Sequence, residues 1–382
     1  VGHGTEPVDI EGIRSALLAW YAHSGRVLPW RDERHDPYRV LVCETMLVQT
    51  TVSAVIPFYH RFLERFPTIE SLAEAPEADV LKQWEGLGYY RRARQLHALA
   101  KTVTERFAGS IPAEESELLS LPGVGRYIAG AIRSFAFDRP APILEANTIR
   151  LIARLIGLPE DVTSTSAQKR LWETAAQLVP EIDPGTFNQA MMDLGSTVCT
   201  PRNPACSACP LADRCISFRK GLTESIPVRP ARKPPTPGEE AAIIVQRPVD
   251  RSILLVRRPE EGLWSSFWEL PTFWISGADP AQRAVAGAVV RKPGDVPELA
   301  RMLFGITLDG NEPEPAPTVK YAVTRYEIRL HLICCQVVKD ESKTIEPECP
   351  AGWKEARFVN FEDSAKLTMP SAHRKALRSI WR

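Results

Sequence analysis

Four cysteines crowd into seventeen residues: Cys199, Cys206, Cys209 and Cys215, in the pattern C-x6-C-x2-C-x5-C. Four thiolates that close in sequence can surround one metal centre, and all-sulfur ligation suits zinc or an iron–sulfur cluster. Spacing alone does not choose between the two, although zinc sites usually show two C-x2-C pairs and only one is present. Pro201, Pro204 and Pro210 interrupt helix between the ligands, as a tight wrapped loop requires. Cys43, Cys334, Cys335 and Cys349 lie apart from this group and read as core or incidental residues. A second pattern is Leu121-Pro122-Gly123-Val124-Gly125, placed just before a small, apolar stretch from Arg126 to Phe137. The two glycines permit a tight turn with positive φ. The N–H groups at the start of the following helix would then face an anion, and a nucleic-acid phosphate fits. A plain helix connection is the other reading. Arg91, Arg92, Arg94 and Lys101 form a local basic stretch, either a solvated face or a side turned to DNA.

The elements that must carry these groups fall into two kinds. The chain has 382 residues, which predicts two or three domains, and 47 basic against 47 acidic residues, which excludes a bulk polycation. No apolar run approaches the length of a membrane span, and Val1 to Ile10 shows no signal-peptide core. A protein without an export signal is expected, cytoplasmic and nucleoid-associated in a bacterium or nuclear in a eukaryote. Ile13, Leu17, Trp20 and Tyr21 share one helix face, and Val80, Leu81 and Trp84 repeat that pattern before Gly86. Five prolines between Pro227 and Pro237 predict an extended linker. Beyond it the period changes to two: Tyr326, Ile328, Leu330 and Leu332 alternate with Arg325, Glu327, Arg329 and His331, a half-buried strand. Ala242–Val245 and Ile253–Val256 are further strands. The expected division is an all-α part over 8–221 with the cysteine loop at 199–215, a linker over 222–240, and an α+β part over 241–382.

The glycine turn followed by the cysteine loop resembles the helix–hairpin–helix DNA glycosylases of the endonuclease III superfamily, and within it the chain is most similar to the adenine glycosylases of the MutY type. Leu28-Pro29-Trp30-Arg31, Glu44-Thr45-Met46-Leu47 and Gln49-Thr50 match one block of that family. Trp84-Glu85-Gly86-Leu87-Gly88-Tyr89-Tyr90 matches a second, and Gly123-Val124-Gly125-Arg126-Tyr127 a third. Arg258-Pro259, Gly262-Leu263 and Trp268-Glu269-Leu270-Pro271 resemble its Nudix-like recognition domain. The resemblance implies a helical glycosylase core carrying a [4Fe-4S] cluster on Cys199, Cys206, Cys209 and Cys215, and an α+β Nudix-like domain. It implies removal of adenine mispaired with 8-oxoguanine or guanine in double-stranded DNA, by a monomer. A thymine or uracil mismatch glycosylase and a non-catalytic mismatch binder are the alternatives.

Cleaving an N-glycosidic bond through an oxocarbenium-like state uses two carboxyls, one to protonate the leaving base and one to hold the sugar cation. By resemblance Glu44 is the acid; its apolar neighbours Val40-Leu41-Val42 and Met46-Leu47 predict a raised pKa. Glu145 stands where the family usually has Asp, with Asn147 placed to orient it. Tyr127 occupies the position at which bifunctional relatives carry the Schiff-base lysine, so no lyase step is expected. Arg31, Gly123 and Gly125 are implied DNA contacts, and Gln49 and Tyr89 are the implied stack-filling residues. Val48 replaces the glutamine usual before Gln49. In the second part, Val323-Thr324-Arg325 stands where the family reads Phe-Ser-His, which makes Thr324 and Arg325 the implied contacts to the base opposite adenine. Residues 280–305 lack the Glu-rich pattern of a magnesium-dependent Nudix hydrolase, so diphosphate hydrolysis is not expected.

Overall fold

A computed structural model describes residues 8–31, 35–231, 233–277, 290, 292–309, 311, 314–338 and 345–380. Most of Val1 to Ile10, and residues 280–289 and 291 of the stretch examined for a Nudix pattern, lie outside the described residues. The chain divides into two compact units, one of residues 1–80 with 91–231, the other of residues 81–90 with 232–382. Among the described residues no helix is long and apolar enough to cross a membrane.

Helices build the first unit: α1 (Ile10–Ser24), α2 (Pro37–Leu47), α3 (Val52–Arg65), α4 (Ile69–Glu74), α5 (Glu77–Gln83, whose end passes into the second unit), α6 (Arg91–Phe107), α7 (Glu115–Leu119), α8 (Arg126–Ala131), α9 (Ala146–Leu155), α10 (Thr165–Leu178), α11 (Pro184–Thr197) and α12 (Ile216–Arg219). Asp36 caps α2 by accepting from the Tyr38 and Arg39 amides, and Pro37 fits the first helical position because no partner is lost there. Every residue from Val40 to Met46 is buried, so α2 is central rather than amphipathic. The stretch from Arg126 is not one helix. Six α-helical residues pass into a π-helical turn, Ile132–Ala136, an insertion found often at functional sites. Apolar faces of α1, α9, α10 and α11 meet in one core through Ile13, Leu17, Ile152, Leu171, Phe187 and Leu194. Gly195 lies where a side chain would run into the Asn147 backbone, which brings α11 close against α9.

The second unit is a seven-stranded mixed sheet. Its strands are β1 (Thr236–Gln246), β2 (Ile253–Arg257), β3 (Trp268–Glu269), β4 (Thr272–Gly277), β5 (Glu314–Val323), β6 (Tyr326–Gln336) and β7 (Glu355–Val359). The order is β3-β2-β1-β6-β5, with β4 also on β1 and β7 on β2; β1 and β6 run parallel and the other pairs antiparallel. Ala241, Ile243 and Val245 face one core with α13 (Val296–Phe304), while Ala242 and Ile244 face another with the C-terminal helix α14 (Ser371–Ile380). Burial on both faces explains why β1 reads as a continuous apolar run. The strand read as half-buried extends to Gln336 and becomes buried on both faces at Leu332–Ile333. Part of the stretch read as linker is strand: β1 starts at Thr236, and Pro237, which has no N–H, precedes the first residue paired to β4, Gly238. Residues 81–90, read with the helical part, sit with the sheet unit. There Glu85 pairs with Arg374 at 2.8 Å, Lys82 donates to the Leu367 carbonyl, and Tyr90 stands edge-on to Phe267. Glu269 of the Trp268–Pro271 motif is buried and pairs with Arg258 at 3.0 Å, so that motif serves the fold of this unit.

One ion-pair cluster anchors the loop that follows α1. The Asp193 side chain on α11 is fully buried and accepts from Arg26 and, at both oxygens, from Arg31 at 2.8 Å. Burial works against its charge, but the hydrogen bonds from Arg31 and Arg26 prevail and hold the carboxyl below its usual range. Asp193→Ala leaves two guanidinium groups without their shared partner. Its unfolding free energy is expected to fall by about 3 kcal/mol, measured by denaturant melts at neutral pH.

Candidate active site and metal centre

A cavity of about 600 Å³ opens in the helical unit, in the size range of small-molecule sites. Glu44, Tyr127, Glu145 and Asn147 all line it, together with Arg31, Gln49, Gly123 and Gly125. Helix α2 projects Glu44 from its apolar wall, and the residue is only 3% exposed. The Tyr127 hydroxyl donates to Glu44 Oε2 at 2.5 Å, and the Cys43 thiol reaches Oε1 at 3.7 Å. Burial pushes the Glu44 carboxyl up to about 7, against the pull of the Tyr127 and Cys43 hydrogen bonds, and nearby Glu145 adds to the rise. Burial, followed by the Glu44 charge, raises the Tyr127 phenol well above its usual range.

Glu145 is the N-cap of α9. Its Oε1 accepts from the Thr148 amide at 2.9 Å and its Oε2 from Asn147 Nδ2 at 3.1 Å, while Thr148 Oγ1 accepts from the Glu145 amide. The extra methylene is therefore absorbed by a capping box, and the carboxylate still faces the cavity. Burial raises its pKa, and the amides of Asn147 and Thr148 oppose that shift. Arg150 then fixes Asn147: its Nη2 donates to Asn147 Oδ1 at 2.9 Å and its Nε to the Cys199 carbonyl at 2.6 Å.

Several expected contacts take a different form. Arg31 turns inward onto Asp193, because a buried carboxylate outcompetes solvent for the guanidinium, so it forms cavity wall. Of the two turn glycines, only Gly123 has positive φ, +77°; Gly125 is extended and caps α8 with open space where a side chain would be. The basic stretch does not form one face: Arg92 is buried, Arg94 pairs with Glu77, and Arg91 and Lys101 are exposed. Gln49 and Tyr89 are both exposed and both left-handed, with φ of +59° and +49°, a conformation that costs energy in a non-glycine residue. Tyr89 belongs to the second unit, as do Thr324 and Arg325. Those two form the two-residue tip of the β5–β6 hairpin, since Val323 pairs with Tyr326. Thr324 is also left-handed, and the Arg325 guanidinium lies 5.1 Å from the Tyr326 ring centre. The contacts made by Arg92, Arg150, Arg154, Asp193 and Cys43 have little signature in the local sequence. The one local signal is the four-residue spacing of Arg150 and Arg154 among Ile149, Leu151, Ile152 and Leu155 on α9.

The four clustered cysteines are free of disulfides and line one small cavity with Leu151, Leu155, Leu211 and Phe218. Four thiols ringing one cavity suit all-sulfur ligation of an iron–sulfur centre, and Cys199, Cys206, Cys209 and Cys215 are the residues that would hold it. Buried Arg154 supports the loop, donating to the Cys199 sulfur at 3.4 Å and to the Thr200 carbonyl at 2.7 Å.

Comparison with known proteins finds matches along both units and the cysteine loop. Residues 42–177 match the HhH-GPD superfamily of base excision DNA repair proteins, residues 199–215 the iron-sulfur binding domain of endonuclease III, and residues 241–379 the NUDIX domain. The cysteine loop is an iron–sulfur binding domain, and its cofactor is a [4Fe-4S] cluster. Adenine DNA glycosylase of Mus musculus is 34% identical over 351 residues, covering 79% of this chain and 68% of that protein. Adenine DNA glycosylase of Buchnera aphidicola subsp. Schizaphis graminum is 35% identical over 258 residues, 67% of this chain and 74% of that one. A solved structure of a thermostable thymine-DNA glycosylase superposes with a TM-score of 0.51 at 32% identity, over 55% of this chain and 96% of that one.

Two outcomes follow from this geometry. An unfolded Glu44 ionises near 4.5 and the folded one near 7, so stability is lost as pH rises through that interval. Glu44→Gln removes the buried charge. Its melting temperature is expected to exceed the parent's at pH 8, by an amount equivalent to a few kcal/mol, and the gain to shrink towards pH 5. Protein produced anaerobically with ample iron is expected to hold about four irons per chain, measured by metal analysis, and Cys206→Ser to lower that content.

Proposed function

The chain belongs to the adenine DNA glycosylase family, and from that premise we propose that it removes adenine mispaired with 8-oxoguanine or guanine from double-stranded DNA, acting as a monomer. The observation that carries this reading is one cavity lined by two carboxyls, one held by a phenol and a thiol and the other at a helix N-terminus. Glu44, buried and titrating near 7, is the general acid that protonates the leaving purine from the face held by Tyr127. Glu145 sits at a helix N-terminus and accepts two hydrogen bonds, which favour its charged form and suit it to stabilise the oxocarbenium-like sugar. Asn147 orients that carboxylate. Tyr127 offers a phenol and no amine, so cleavage stops at the abasic site without a Schiff base. Cys199, Cys206, Cys209 and Cys215 hold the cluster.

Extruding the base leaves a gap in the stack, and Gln49 and Tyr89, exposed on strained left-handed turns, are the residues proposed to fill it. Gly123 and Gly125 leave backbone open to a phosphate. Thr324 and Arg325, at the tip of the β5–β6 hairpin, are proposed to contact the base opposite adenine. Arg325 presents donors only, which suits a guanine acceptor edge and predicts weaker discrimination for the oxidised base than a histidine there would give. A thymine–guanine substrate is the second reading, favoured by the superposition with the thymine-DNA glycosylase, but that likeness covers 55% of this chain.

Single-turnover excision on A:8-oxoguanine, A:G, T:G and U:G duplexes distinguishes these readings. Adenine release from the first two, with no borohydride-trapped adduct, is expected; release of thymine or uracil alone would overturn the assignment. Glu145→Gln is expected to lose about 10²–10⁴-fold in rate and Glu145→Asp to keep it. Excision by Glu145→Gln at the parent rate would remove Glu145 from the chemistry.

A further inference from the structure

The α2 helix ends where the cavity begins, and its last carbonyls have no partner within the helix. Arg92, on the first turn of α6 and 9% exposed, supplies one. Its Nη1 donates to the carbonyls of Thr45 at 2.9 Å, Met46 at 2.8 Å and Val48 at 2.5 Å, and its Nη2 to Thr50 Oγ1 at 3.1 Å. These acceptors bracket Gln49, whose backbone is left-handed and which lines the cavity with Glu44. A turn closed by the Thr50 amide on the Leu47 carbonyl crosses the same residues. A left-handed non-glycine residue persists only where its surroundings over-determine it. Here the bonds on either side come from one planar guanidinium, a geometry that a lysine ammonium cannot reproduce.

We propose that Arg92 is a positioning residue for base extrusion: it clamps the α2 C-terminus and holds Gln49 in the left-handed turn that aims its side chain at the vacated stack. The proposal rests on the gap-filling reading of Gln49 given above. Arg92 touches neither Glu44 nor Glu145 through any of these four bonds, so it acts on extrusion rather than on proton transfer.

A double-mutant cycle with Arg92→Lys and Gln49→Ala tests this, read by single-turnover excision and by the fluorescence of 2-aminopurine placed beside the mispair. Arg92→Lys is expected to slow excision about tenfold in the parent and less than about twofold in the Gln49→Ala background. The unstacking signal should fall, and the pH midpoint of the rate should stay in place. Equal losses in both backgrounds, or a moved pH midpoint with normal unstacking, would show that Arg92 acts through the fold or through Glu44, and would overturn the proposal. Gln49→Ala at the parent rate would overturn the gap-filling reading and this one together, whereas a slow Gln49→Ala with additive Arg92→Lys overturns this one alone. Thr50→Val removes one of the four bonds without touching the charge, and guards against a poorly folded Arg92→Lys. It is expected to show a smaller, equally Gln49-dependent loss, and a loss independent of Gln49 counts against the proposal.

Discussion

A single carboxyl buried in the wall of an apolar helix sets the terms for the helical unit. Water would hold Glu44 ionised at neutral pH; removal from water carries it to about 7. That burial is possible only because α2 is enclosed on every side, with Val40, Leu41, Val42 and Met46 all buried around it. The helix must also be held at both ends by partners that do not neutralise the acid. Asp36 caps its start and Arg92 its finish, and Tyr127 donates to Glu44 without bringing a charge. The stability that Glu44 forgoes as an anion is the same quantity that keeps its proton available.

The second carboxyl is kept different by its surroundings rather than by its type. Both residues are glutamates, and both are pushed towards the neutral form by burial. Glu145, however, sits at the positive end of α9 and receives an amide N–H and the Asn147 side chain, whereas Glu44 faces a phenol and a thiol. Hydrogen bonds pull both carboxyls down against burial, and the helix N-terminus is the added influence at Glu145 on which the proposed division into an acid and an anion rests. The arginines of α9 extend the arrangement: Arg150 holds Asn147 in place and Arg154 supports the backbone after Cys199. A helix with two fully engaged guanidinium groups in its buried face therefore serves the carboxylate and the cysteine loop at once.

The sheet unit follows a different logic. Strand β1 is covered on both faces from Glu240 to Val245, and β6, paired to it along its length, is covered on both faces at Leu332–Ile333 and carries the hairpin tip on its half-buried first part. The tip itself is strained, since Thr324, a β-branched residue, is left-handed there. The buried Arg258–Glu269 pair gives the Trp268–Pro271 motif a structural role, and the motif's family likeness is accordingly a likeness of fold.

Much of this was legible in the chain itself, because it depends on residues close in sequence. Cysteine spacing marks a metal loop, the apolar neighbours of Glu44 announce its burial, and the alternation from Tyr326 to Leu332 marks a strand, all within windows of about twenty residues or fewer. Asn147 could be assigned to Glu145 since the two are two residues apart. What remained hidden were choices of distant partner. Nothing local says that Arg31 joins Asp193, 162 residues on, or that Arg92 reaches back 42 to 47 residues to the end of α2. The chain has 47 basic and 47 acidic side chains, and which of them meet is decided by how helices stack. Desolvation is the physical reason: a buried charge must find whatever partner the packing brings, and only the folded chain determines which partner that is.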